Sequence, residues 1–198
     1  MQEVLNPAPK TADTGPKKKL ITCFECGTDL EVPASAESTI CKRCSAYVDL
    51  HDYNITSALA KNFKTKGTFT VDLKGYVFNT ESIVGDAVIR GKFHGKLTVE
   101  RSLTIYSTAE IKGAISAGHL IIPAKNLFRW NVQIRVGSAE ISGELAADLR
   151  AEERVVVKAS ARLFGNVDAL GLVAEEGAVI VGHMQIGPRT GSGQGKLL

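Results

Sequence analysis

The sequence has no apolar run near the roughly 18 residues that a membrane span needs. Its polar start, MQEVLNPAPK, lacks the apolar core of a signal peptide. These absences predict a chain that stays in the cytoplasm. No segment reads GxxxxGK followed by Ser or Thr, so no phosphate-binding loop and no nucleotide are expected. A strong basic field is also missing: the net charge is +3, and the excess sits locally in Lys17-Lys18-Lys19 and in Lys61, Lys64 and Lys66. That argues against a dedicated nucleic-acid binder. Between residues 67 and 187 no long stretch repeats its apolar residues with a 3.6 period, which argues against helix there.

A catalytic constellation is missing as well. The four histidines, His51, His94, His119 and His183, are scattered, and no Ser or Cys nucleophile pairs with them in the sequence. His94 and His183 follow motif positions directly, so both imidazoles are expected to be solvated. Glu152-Glu153 and Glu175-Glu176 precede turns and read as solubilising charge. The chain is therefore not expected to be an enzyme.

What is present is a repeat. The pattern Ala-x-Φ-x-Gly-x-Φ, with Φ apolar, occurs six times if Val71 replaces the first alanine. The copies run Val71-x-Leu73-x-Gly75-x-Val77, Ala87-x-Ile89-x-Gly91-x-Phe93, Ala109-x-Ile111-x-Gly113-x-Ile115, Ala139-x-Ile141-x-Gly143-x-Leu145, Ala161-x-Leu163-x-Gly165-x-Val167 and Ala178-x-Ile180-x-Gly182-x-Met184. Self-similarity at a period near twenty residues marks a solenoid, whose units bury their apolar faces only by stacking. The period-two spacing puts the small residue, the apolar residues and the glycine on one side of a strand. Glycine suits a sharp corner where neighbouring backbones approach closely.

Three strands of about five residues with tight corners make about 17 residues, one turn of a three-sided β-helix. The motif glycines lie 16, 22, 30, 22 and 17 residues apart, so the short intervals read as bare coils and the long ones as coils with loops. Apolar bursts such as Leu97-Thr-Val99 and Val155-Val-Val157 supply the other sides. The expectation is an all-β solenoid of about six coils. An antiparallel barrel or sandwich with glycine at its turns is the alternative. The 30-residue interval predicts a loop extruded between Gly113 and Gly143, carrying Phe128 and Trp130. These two rings either fold back on the coil wall or meet a partner.

All four cysteines fall in one window, Cys23-x-x-Cys26-Gly27 and Cys41-x-x-Cys44-Ser45. Two such pairs match a four-thiolate zinc ribbon, in which each pair forms a knuckle on a tetrahedral ion. One structural zinc is expected, with iron in the same geometry as the alternative. A closed set of four sulfurs leaves no position for activating water. Residues 1–19 hold three prolines and a lysine triplet, and 188–198 are glycine-rich; both read as disordered tails. The division is then tail 1–19, zinc ribbon 20–54, linker 55–69, β-helix 70–187 and tail 188–198.

The Ala-x-Φ-x-Gly-x-Φ coils over about residues 70–187, with the absent membrane span and the tails, resemble the bactofilins, bacterial polymer-forming cytoskeletal proteins. The ribbon is an addition to a minimal bactofilin, and Ile180 stands where the family often has an aromatic. The resemblance implies a right-handed, three-sided parallel β-helix that polymerises through its ends into non-polar filaments without nucleotide. It also implies a scaffold for cell-shape and cell-wall enzymes at the cytoplasmic face of the inner membrane. The partners expected are other copies of the chain, and beyond these, cell-wall enzymes or inner-membrane proteins. Assembly through the ends would use Val71, Leu73 and Val77 at one end, and Val179, Ile180, Val181, Met184 and Ile186 at the other, where strand edges are unpaired. The competing reading is a monomeric β-helix whose zinc ribbon binds a protein or nucleic acid.

Overall fold

The computed structural model describes residues 17–188. Residues 1–16 and 189–198, which make up most of the two expected tails, lie outside the described residues. The chain divides into two compact units at residues 48 and 49.

In the first unit, β1 (Lys18–Thr22) and β2 (Asp29–Pro33) form an antiparallel pair running from Lys18 opposite Pro33 to Thr22 opposite Asp29. Lys18 and Lys19 thus belong to a strand, which shortens the amino-terminal tail as first drawn. Alternation turns Ile21, Leu30 and Val32 inward, beside buried Cys23 and Cys41. β3 (Ser38–Ile40) and β4 (Tyr47–Asp49) follow. So few apolar side chains cannot stabilise a fold of this size alone.

The second unit is a parallel β-solenoid of about eight turns, with no helix among the described residues. Its strands are β5 (Tyr53–Ile55), β6 (Ala58–Leu59), β7 (Lys64–Val71), β8 (Tyr76–Ile89), β9 (Lys92–Ile105), β10 (Glu110–Ile122), β11 (Leu127–Arg129) and β12 (Ile134–Ile141). Then come β13 (Glu144–Ala146), β14 (Leu149–Ala151), β15 (Arg154–Val157), β16 (Arg162–Phe164), β17 (Val167–Ala169), β18 (Gly171–Ala174), β19 (Val179–Val181) and β20 (Met184–Ile186). One ladder stacks Tyr53, Phe69, Ala87, Leu103, Leu120, Ala139, Val155 and Leu172, each in register with the next. A second runs Leu59, Val77, Phe93, Ile111 and resumes as Phe128, Leu145, Leu163, Ile180. A third includes Val84, Val99, Ala117, Val136 and Ala151. These inward rows form one continuous apolar core.

The glycine motif explains why about six coils were expected instead of about eight. It occupies two different corners. A Cβ on Gly91 would stand 2.2 Å from the Asp72 carbonyl oxygen and one on Gly143 would stand 2.3 Å from that of Asn126, whereas Gly113, Gly165 and Gly182 lie over Gly95, Ala147 and Gly165. Intervals within one corner are near one turn, and intervals between corners are not. The 30-residue interval therefore holds no extruded loop. It contains β11 and all of β12, both paired in the solenoid. Trp130, two residues past Phe128, takes the corner position that Ala147 takes after Leu145 and Gly165 after Leu163.

The linker expected over 55–69 is also replaced. Tyr53 and Ile55 pair with Phe69 and Val71, Leu59 pairs with Val77, and β7 pairs with β8, so the solenoid starts well before residue 70. These first turns bury Thr65, Thr80 and Ser82. The Thr80 hydroxyl donates to the Lys61 carbonyl at 2.8 Å, and Ser82 Oγ accepts from the Phe63 amide at 3.2 Å. Lys66 is only 4% exposed, with its ammonium 2.6 Å from both carboxylate oxygens of Glu100.

Candidate metal centre and solenoid edges

Each CxxC pair closes the same local turn. The Gly27 amide donates to the Cys23 carbonyl at 3.1 Å and the Ser45 amide to the Cys41 carbonyl at 2.8 Å. The amides of Cys23 and Cys41 donate across the turn to Thr28 and Ala46, each at 2.9 Å. Gly27 and Ser45 both adopt positive φ, 66° and 58°. This conformation is open to glycine and disfavoured for serine, so its repetition at Ser45 shows the second turn held to the geometry of the first.

The two turns bring the sulfurs of Cys23, Cys26, Cys41 and Cys44 within 4.8 Å of one another. Cys23 Sγ lies 3.6 Å from Cys44 Sγ, and Cys26 Sγ 3.6 Å from Cys41 Sγ. Four sulfurs at about 2.3 Å from a tetrahedral ion are about 3.8 Å apart, so the donor set fits such an ion.

The electrostatics agree. The Cys26 and Glu25 amides lower the pKa of Cys23. The Thr28 hydroxyl and amide draw Cys26 down to about 6. Cys44 receives the opposing help of the Ala46 amide, yet burial and the other three sulfurs push it up to about 12. Amides turned toward the sulfurs favour thiolates, but crowding makes the full set of charges unfavourable until a cation is added. Four sulfurs in these turns can hold a metal ion.

The edges of the solenoid form the other candidate site. Among the described residues, β18, β19 and β20 each pair with only one strand, β15, β16 and β17 respectively. Ile180 and Met184 are half-buried against the core, while Val179, Val181 and Ile186 are 42, 54 and 43% exposed. An apolar row and a line of free backbone groups thus end together. The other expected end is displaced. Val71 and Val77 are fully enclosed, each with paired strands on both sides, and Leu73 lies on a corner between β7 and β8. At that end the ladders begin with β5 and β6, one turn earlier.

A family model described as "Bactofilin: Polymer-forming cytoskeletal" matches residues 47–132 and 129–185. The chain belongs to the bactofilin family. No curated protein and no solved structure matches it significantly. The family is structural and cytoskeletal, which is consistent with the absence of a catalytic constellation from the sequence, and the β-solenoid fits a polymer-forming member. The match starts at Tyr47, in accord with ladders that open at Tyr53, and leaves the four cysteines outside it.

Elsewhere on this bactofilin, Phe128 is buried and meets Trp130 edge-on at 5.7 Å, with Trp130 packed against the core. Both rings fold back on the coil wall. His94 is not solvated as expected: it stacks edge-on to Tyr76 at 4.9 Å, and its Nδ1 lies 2.9 Å from the Tyr76 hydroxyl. His119 Nδ1 lies 2.8 Å from Ser138 Oγ. No local pattern marks that pair, because its members are 19 residues apart and meet only when two turns stack.

Proposed function

We propose that this bactofilin is a bacterial cytoskeletal scaffold that assembles end to end into filaments without nucleotide. Its place is the cytoplasmic face of the inner membrane, where filaments organise cell-shape or cell-wall machinery. In this reading the ladders wind as a right-handed, three-sided helix, and Cys23, Cys26, Cys41 and Cys44 hold one structural zinc. Zinc is preferred to iron because a closed thiolate set in a minimal fold needs an ion for folding energy and no redox chemistry.

The observation that carries the assembly reading is the carboxyl edge, where unpaired β18, β19 and β20 coincide with the half-buried Ile180 and Met184. A copy stacked there pairs the free backbone groups and covers the apolar row. Electron microscopy of the purified protein, without nucleotide, tests it. Wild type should give filaments. Ile180→Arg, which puts a charge into a dry joint at a cost of several kcal/mol, should give folded protein of small size. Filaments undiminished in Ile180→Arg and in Met184→Arg would exclude this joint. The position of the cysteines outside the family match supports a second reading, a monomeric solenoid that displays a partner-binding ribbon. Wild-type protein that stays monomeric would favour it.

A further inference from the structure

The outward positions of the ladders differ in charge. On the ladder that starts at β6 they form cross-turn ion pairs, Lys92 with Glu110 at 3.1 Å and Arg129 with Glu144 at 3.9 Å. On the third ladder, Lys96 meets Glu81 at 2.6 Å and Arg150 meets Asp168 at 3.8 Å. The ladder that starts at β5 has a different centre. Its outward column runs through Thr70, Val88, Thr104, Ile121, Val156 and Val173, in register turn after turn. Glu140, between Ile121 and Val156, is the one charge in that column from Thr70 onward. All of these side chains are half-buried by their neighbours except exposed Val173.

Charge on this face is kept to the flanks. Asp86 is bound by Arg101 and Ser102 on one side, while on the other Arg90 lies over Tyr106 at 4.8 Å and Lys158 pairs with Glu175 at 3.0 Å. An uncharged centre inside a polar rim is the anatomy of an interface.

We propose that this face is a lateral interface between two copies of the chain, packed sheet on sheet, distinct from any joint at the ends. Three features select a second copy. Counting Asn54 of β5, which pairs with Thr70, the column has eight rungs and is about 34 Å long at the usual strand spacing, and a five-residue strand is about 17 Å wide. Two such faces bury about 1,200 Å² in total, the lower bound of a specific interface. The rungs of two identical solenoids have the same spacing, so the side chains of one copy stay in step with those of the other along the whole face. A two-fold axis between the Thr104 and Ile121 rungs also sets Glu140 against the second copy's Val88, beside its Arg90, which adds a cation from the second copy to the Lys158 of its own chain.

The test uses the full chain carrying Ile180→Arg, so that the carboxyl-end joint is blocked and filaments do not mask the readout; a dimer through the amino end would be unaffected by substitutions on the face. Sedimentation velocity should show dimers at tens of micromolar. Adding Ile121→Lys with Val156→Lys, or Thr104→Arg alone, should weaken the dimer more than tenfold while the β-sheet circular dichroism is kept. Either variant suffices if the other fails to fold. End-blocked protein that is monomeric, or dimers unaffected by the folded variants, overturns the proposal.

Discussion

Three glycine-to-alanine substitutions test the stacking directly, because the same added methyl meets three different surroundings. Gly113 has φ of +123°, and a Cβ there would stand 2.0 Å from the Gly95 carbonyl oxygen of the preceding turn. Relieving that contact means opening two turns by more than about 1 Å, when strands pair at about 4.8 Å. Loss of one or two ladder hydrogen bonds at about 1 kcal/mol each adds to about 1–3 kcal/mol of backbone strain. Gly113→Ala should therefore cost about 4 kcal/mol. At Gly177, φ is +85° but the nearest atom is 3.8 Å away, so only the backbone term of about 1 kcal/mol applies. Gly171 has no positive φ, and its Cβ would touch Arg154 Cβ at an ordinary 3.6 Å. There alanine should stabilise by about 0.4–1 kcal/mol through the unfolded state. At about 2–4 °C per kcal/mol for a chain of this size, melting followed by β-sheet circular dichroism should fall by about 10 °C, fall by about 3 °C and rise by about 2 °C. A Gly171→Ala variant that loses as much as Gly113→Ala would refute the corner argument.

The buried Lys66–Glu100 pair should respond asymmetrically: Glu100→Ala leaves an enclosed ammonium and costs about 2–3 kcal/mol, while Lys66→Met, facing a carboxylate that is 35% exposed, costs about 1 kcal/mol. Equal losses in thermal melts would contradict this account. Lys112 and Lys92 hold Glu110 down to about 2 from 4.5, so its stabilising contribution is complete above pH 4.5 and is lost as pH falls through about 2. Glu110→Gln should flatten that part of the acid melting profile, and an unchanged profile would remove Glu110 from it. Removing the metal with a chelator should abolish the fold of the first unit and leave the solenoid signal nearly intact, since all four cysteines precede Asp49. Metal analysis of fresh protein below about half an equivalent would oppose a bound ion.

The cysteine cluster was legible because its information is local: two CxxC turns carry the four sulfurs and the backbone that orients them. The solenoid was legible as an architecture and misread in its count. Ala-x-Φ-x-Gly-x-Φ records that a corner is tight, but Gly91 and Gly113 satisfy the same local rule over different backbones. Only the stacked neighbour tells the two corners apart. Trp130 hid a turn for the converse reason, since it fills a corner position where the motif demands glycine. The first turns escaped notice because Thr65, Thr80 and Ser82 look exposed in a hydropathy pattern. Their hydroxyls are buried with hydrogen bonds to backbone one turn away. His94 with Tyr76, and His119 with Ser138, are likewise contacts between turns, beyond the reach of any single repeat.

A stack in which each turn touches only its neighbours puts its weakest member at an end. Turns inside this solenoid bury most of their apolar rows, as Leu145, Val157 and Leu163 show at 0% exposure. The last turn leaves its inward Leu172, Ile180 and Met184 only half-buried and Ile186 exposed, so it has one stacking interface where the others have two. A copy docked on β18, β19 and β20 would supply the missing interface and order the turn it binds. Assembly and completion of the fold are then one event at this edge. The same reasoning separates it from the β5 face, where every rung already has neighbours above and below. Pairing across that face adds contact without completing any turn, so it should be the weaker and more easily reversed of the two associations.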